Sequence, residues 1–194
     1  MKRFMLFFVL CSTLLIACEP ITPNGDQYPV VSADDYYWYE GEKIYLERGN
    51  QEYIIYDDAL LSEMDKQKLE MSESDSYLEE PNLKWGITKP NTVIEDLEHV
   101  LYRMPSYTSE GINFFVTHSF LVKLKGSDDL PILQNMAEQY NVKIVKEEFL
   151  PLWYLLVCNL PSSSNALDIA NRFYESGKFA VSEPNFMGGV VLHN

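Results

Sequence analysis

The alternation of apolar and polar positions is most regular between Phe120 and Pro184, and it predicts an ordered series of elements. FLVKLKG sets Phe120, Val122 and Leu124 against Leu121, Lys123 and Lys125, the two faces of a strand that stops at Gly126. Leu130, Leu133, Met136, Ala137 and Tyr140 then recur at helical spacing. Ser127 is placed to cap that helix, Pro131 sits in its opening turn and Asn141 fits its stop. Val142–Val145 reads as a second strand and Trp153–Cys158 as a third. Ala166, Ile169, Ala170 and Phe173 define a second helix, with Ser163 or Ser164 as its cap and Gly177 as its terminator. FAVSEP closes the series as a fourth strand. This β-α-β-β-α-β order is that of a ferredoxin-like sandwich, so the fold class expected is α+β. Both helical stripes would cover one face of the sheet. The third strand nevertheless has Trp153, Leu155 and Val157 on one side and Tyr154, Leu156 and Cys158 on the other, all apolar or aromatic. Its helix-free side therefore needs a second cover, from the first half of the chain or from a partner.

The first half reads as a smaller, β-rich α+β unit. Tyr36–Tyr39 and Ile44–Leu46 flank Glu40-Gly41-Glu42-Lys43, a hairpin signal. Arg48-Gly49-Asn50 is expected to make a second turn before a strand at Tyr53–Tyr56. Asp57-Asp58 looks like a helix start, with Leu60, Leu61, Met64 and Leu69 as its apolar stripe. An acid-rich run follows to Glu80; it lacks the spacing of a calcium loop and reads as a solvated segment. Leu83–Ile87 is a strand, and Val93–Leu97 one or two helical turns. His99–Met104 and Ile112–Thr117 form a hairpin around Pro105–Gly111. The domain boundaries that result are 34–117 for this unit and 118–194 for the ferredoxin-like one.

Ahead of both lies a leader. Lys2 and Arg3 precede the apolar run Phe4–Ala17, whose 14 residues are too few to cross about 30 Å of hydrocarbon. The run ends in Leu15-Ile16-Ala17-Cys18, the pattern of a bacterial lipobox, which makes residues 1–17 a lipoprotein signal peptide and Cys18 the lipidated residue. Residues 18–33, rich in Pro, Asn, Gly and Asp, are the tether. The expected location is the bacterial cell envelope, on a periplasmic or outer-membrane face. Losing Lys2 and Arg3 with the leader takes the formal net charge from −14 to −16, a surface that repels phosphate backbones and argues against nucleic acid as a partner. Cys158 is the single cysteine past the anchor, so no disulfide framework is expected; inside an apolar run it reads as a small buried hydrophobe.

The motifs of catalysis are missing. His99, His118 and His193 are far apart without metal-ligand spacing, and neither a nucleophile elbow nor a phosphate loop occurs. The Asp pairs at 34–35, 57–58 and 128–129 sit where turns or helix starts use them. The chain is read as a non-enzyme with no metal site and no cofactor. The aromatic cluster of Tyr36, Trp38 and Tyr45 leaves a second class of function open, a cell-envelope lipoprotein that binds a glycan or peptide. An exposed row of these rings would favour it, and their packing across strands would count against it.

FLVKLK, the helix end Ala137-Glu138-Gln139-Tyr140, Pro151-Leu152-Trp153-Tyr154, Asn165-Ala166-Leu167, Asn171–Gly177 and Glu183-Pro184 together resemble the N-terminal prodomain of subtilisin-like serine proteases, of the fervidolysin type found in Bacteroidetes. The resemblance covers Phe120–Pro184 well and Tyr36–Thr117 loosely. It implies a ferredoxin-like sandwich that lays the helix-free face of its sheet on a protease and runs the segment after its last strand into the substrate cleft. It also implies a chaperone and slowly released inhibitor. Carried onto this chain, the partner-binding residues are Asn185, Phe186, Met187, Gly188, Gly189 and Val190, with Tyr154 and Leu156 from the third strand. No protease motifs follow Asn194, so the expectation is a free-standing lipoprotein that acts on a separate subtilisin-like protease.

Overall fold

The computed structural model describes residues 35–188 apart from 75–77, 79, 110–111 and 163, and omits the side chains of 109 and 146–149. The signal peptide, Cys18, the tether, Gly189 and Val190 lie outside the described residues. The fold is α+β, mostly antiparallel sheet with few helices.

Strands β1 (Tyr36–Tyr39) and β2 (Glu42–Tyr45) form the expected hairpin. Its turn places two successive residues at positive φ, Glu40 at 48° and Gly41 at 88°. That is the primed geometry whose twist suits a two-residue hairpin. Just before it, the buried Asp35 accepts from Arg48 Nε at 2.9 Å and from the Tyr107 hydroxyl at 3.1 Å, while its carbonyl accepts from the Leu46 N–H at 2.7 Å.

The expected turn at Arg48-Gly49-Asn50 does not form. One strand, β3 (Glu47–Asp57), runs straight through it. Against β6 (Val100–Ser109) the register slips between Arg48 and Glu52, so the extra residues are absorbed as a bulge. Gly49 is required there by close approach: a Cβ would lie 2.3 Å from the Ser106 hydroxyl, which already accepts from the Gln51 N–H. The helix expected after Asp57-Asp58 shrinks to one turn, α1 (Glu63–Lys66), capped by Ser62. Only Leu61 of its supposed stripe is buried; Leu60 and Met64 face water, and Leu69 opens strand β4 (Leu69–Glu73) instead. Of the stripe, Leu61 joins Ile54, Tyr56 and Ile94 in a small core and Leu69 packs against it, while Leu60 and Met64 are left outside. Strand β5 (Leu83–Thr88) pairs with β4 and β3, giving the order β4-β5-β3-β6. The turns expected at Val93–Leu97 appear as a 3-10 turn at Leu97–His99.

The hairpin after β6 is tighter than expected. Strand β6 continues through Pro105–Ser109, and β7 (Ile112–Lys123) is a single 12-residue strand that includes the FLVK segment. Then follow α2 (Leu130–Gln139), β8 (Val142–Leu150), β9 (Trp153–Cys158), α3 (Ala166–Glu175) and β10 (Val181–Gly188). Pro131 sits in the first turn of α2 as expected, but Ser127 is not the capping group; the Asp129 carboxylate accepts from the Gly126 N–H at 3.0 Å. For α3 the cap is Asn165 rather than Ser164, its side-chain oxygen accepting from the Asp168 N–H at 2.7 Å; Ser163 lies outside the described residues. Asn141 (φ 52°) and Gly177 (φ 66°) end the two helices in the left-handed region, as read from the sequence.

Strands β8, β9, β7 and β10 lie side by side in that order, all antiparallel. Both helices lie on one face. Phe173 of α3 touches Phe120 of β7 (5.2 Å between ring centroids) and Tyr140 at the end of α2 (5.7 Å). The boundary expected between residues 117 and 118 falls inside β7, and one core cluster runs from Tyr53 and Trp85 to Leu133 and Phe173.

One buried carboxylate ties down the loop beside α1. Asp65 takes Lys68 Nζ at 2.7 Å and the backbone N–H groups of Asp96 (2.9 Å) and Glu95 (3.2 Å). Burial alone would raise its pKa, yet the Lys68 ammonium and the two N–H donors hold it below the ordinary carboxylate range. A lowered folded pKa gives stability that is present above the unfolded value near pH 4 and lost as pH falls through the folded one. Asp65→Asn is therefore expected to cost about 2–3 kcal/mol at neutral pH. In urea melts the deficit should shrink as pH falls through the lowered folded pKa and vanish once the native carboxyl is protonated as well.

Candidate functional site: the forked sheet and its open face

Strand β7 changes partner along one of its edges. Residues Ile112–Phe115 pair with β6 and Ser119–Lys123 with β9, while β10 runs along the opposite edge from Phe114 to Lys123. In between, Val116, Thr117 and His118 take no strand partner on the first edge, and the sheet forks. Polar side chains do the work of the missing ladder. The Thr117 hydroxyl donates to the Asn185 carbonyl at 3.1 Å, and Asn185 Nδ2 donates to the Ser119 hydroxyl at 2.9 Å. On the helix side the Tyr102 hydroxyl donates to the Thr117 carbonyl and accepts from the Ala166 N–H, both at 3.1 Å. One phenol thus joins β6, β7 and the first turn of α3. Tyr53 completes the cluster, its hydroxyl 3.2 Å from His118 Nδ1.

The fork opens into a cleft of about 530 Å³. His118 and Cys158 are buried at its base, with Leu101 and Val157 on its two arms. Across the mouth the Ser162 N–H donates to the Leu101 carbonyl at 3.2 Å. Leu60, Leu78 and Leu160 add apolar wall, and Asp57, Glu80, Glu98 and Lys143 bring charge. Burial pushes the Cys158 thiol up to about 12, which keeps it protonated and inert at neutral pH. Among the described residues no group of three or more His, Cys, Asp or Glu side chains could hold a metal ion, and no helix is long and apolar enough to cross a membrane.

The partner-binding residues expected from sequence are not all on one surface. Tyr154 and Leu156 stand opposite Val122 and Phe120, inside the core under α2 and α3, at 7% and 0% exposure. They point to the helix-covered face, so neither can touch a partner on the open one. Period-2 alternation assigns the open face instead to Trp153, Leu155 and Val157, beside Leu121 and Lys123. Leu155 and Val157 are buried, Val157 in the cleft wall with Leu78 from the first half. Trp153 is half-buried, with Lys123 Nζ 5.6 Å from its ring centroid and the exposed Leu150 as its cross-strand neighbour.

Residues Asn185–Gly188 belong to β10 rather than to a loose tail. Asn185 is spent on the bulge. Phe186 packs on Tyr37 (4.9 Å) and Phe114 (5.5 Å), and Met187 pairs with Phe115. Gly188, at φ 116°, lies where a Cβ would be 2.9 Å from the Asn113 carbonyl. Pro184 stands mid-strand without cost because β10 pairs on one side only.

The aromatic hairpin is committed to its own chain. Trp38 stacks on Tyr174 at 5.0 Å, and Glu175 accepts from the Tyr36 hydroxyl (2.7 Å) and the Trp38 indole (3.1 Å). Lys43 Nζ lies 3.9 Å from the Tyr36 ring centroid, and only Tyr45 of the three rings stands largely in water. A sugar would meet no free row of rings here.

Sequence reading missed the Tyr102–Thr117–Ala166 junction because its members are up to 64 positions apart. Tyr102→Phe, which keeps the ring and deletes the hydroxyl, should cost about 1–3 kcal/mol. Amide hydrogen exchange should quicken at Ala166 and Leu167 before it does in β3. No family model, curated protein or solved structure matches this chain.

Proposed function

We propose that Phe120–Pro184 is a ferredoxin-like sandwich of the subtilisin-prodomain kind, and that the chain binds and restrains a subtilisin-like serine protease. On this reading Cys18 carries the lipid that holds the protein to a cell-envelope membrane. The observation that supports it best is the antiparallel order β10-β7-β9-β8 with α2 and α3 together on one face. That arrangement leaves an opposite face for a partner, as the resemblance of the sequence requires.

The placement of side chains moves the proposed contact. It centres on Trp153, Leu150, Leu121 and Lys123, at the end of the open face away from the cleft, where the side chains are half-buried or exposed. Tyr154 and Leu156 act as core beneath it. Because Phe186–Gly188 are paired with β7 and Asn185 forms the bulge, the substrate-like segment is the stretch after Gly188, which includes Gly189 and Val190. Six extended residues reach about 20 Å, enough to lie along a protease cleft. The protein then works as a bound strand and a docking face, with no chemistry of its own.

The purified chain is expected to inhibit a subtilisin-like protease of the same cell envelope. Trp153→Asp should raise the inhibition constant about 30-fold or more, since a buried tryptophan at an interface centre is worth about 2 kcal/mol or more. Removing residues 189–194 should weaken inhibition further while leaving the thermal melt unchanged. Absence of inhibition against every such protease from the cell would sink the reading.

A further inference from the structure

We propose that the cleft in the sheet fork is a binding site for a basic, aliphatic peptide segment, independent of the protease-docking face. At about 530 Å³ it has the size of a ligand pocket, and it opens where β6 and β9 part along β7. Its wall divides by chemistry. Leu60, Leu101, Val157 and Leu160 give an apolar surface, and Leu60 stands at the lip 56% exposed, an aliphatic side chain left in water.

The charged part of the lining is one-sided. Asp57, Glu80 and Glu98 bring three carboxylates against the single ammonium of Lys143. The Asp57 carboxylate accepts from the Ala59 N–H at 2.9 Å, whereas the carboxylates of Glu80 and Glu98 make no hydrogen bond or ion pair among the described residues. A ligand that suits both surfaces needs an aliphatic body and an N–H-rich cation. A lysine or arginine beside a leucine-like residue has both. Its methylenes would lie along the leucines while its head reaches Glu80 and Glu98. Phosphates, carboxylates and acidic peptides are repelled, and a neutral sugar leaves the leucine wall uncovered. The base of the cleft provides an internal reporter, His118, whose Nδ1 is held 3.2 Å from the Tyr53 hydroxyl.

The test uses the full chain in a nonionic detergent, with protein-free micelles as the blank and titration followed by calorimetry and by the ring protons of His99 and His118. Acetyl-Leu-Lys-Leu-Lys-amide is expected to bind and to shift both rings. Acetyl-Leu-Glu-Leu-Glu-amide should not bind, and acetyl-Gly-Lys-Gly-Lys-amide should bind about tenfold or more weakly, having lost its apolar contacts. The E80Q/E98Q double variant changes two exposed side chains and should keep its thermal melt, yet weaken the leucine–lysine peptide about tenfold or more. High salt should weaken it in the same direction. Equal binding of the acidic peptide, unchanged binding by E80Q/E98Q, or no binding of the leucine–lysine peptide would each overturn the proposal.

Discussion

The whole fold depends on one strand being long enough to serve two sheets. Residues 112–123 of β7 pair first with β6 and then with β9, and β10 zips both parts together from the other side. A strand cannot be hydrogen-bonded to two diverging neighbours at once, so three residues between them lose their ladder. The sequence places Thr117, His118 and Ser119 there, three consecutive polar residues in a strand otherwise polar only at Asn113 and Lys123. The Thr117 and Ser119 hydroxyls and His118 Nδ1 each find a partner, which is what makes a break in a buried sheet tolerable.

This sharing ties the two halves together energetically. Tyr102 belongs to the first half, yet its hydroxyl serves the first turn of a helix in the second. Likewise β10 is the last strand of the second half and also pairs with Phe114 and Phe115, next to β6. Neither half closes its core without the other, so loosening should spread across the fork rather than stop at a linker.

Much of the second half was legible because its signals are local. Period-2 and period-3.6 stripes, Asn141, Gly177 and Pro131 depend on residues within a few positions of one another, and they reappear where expected. The failures have a common physical cause. Gly49 looks like a turn residue, but it is a glycine because Ser106 passes close by. Leu60 and Met64 look like a helical stripe, but only their neighbour Leu61 reaches the small core of Ile54, Tyr56 and Ile94. Tyr154 and Leu156 are as apolar as Trp153 and Leu155, so composition could not tell which side met the helices; only the pairing with Phe120 and Val122 decides it. The fork itself has no sequence signature, since it arises from which strands a long strand chooses as neighbours.

The three hydrogen bonds of Asp35 carry a mechanical consequence. They reach Leu46 just before β3, Arg48 at its start, and Tyr107 in β6. A pull applied at Asp35 therefore loads all three together before β1 can peel. Rungs of a hairpin drawn from its free end break one at a time under a small force. Bonds loaded in parallel must fail together, so the fold resists tension applied at Asp35.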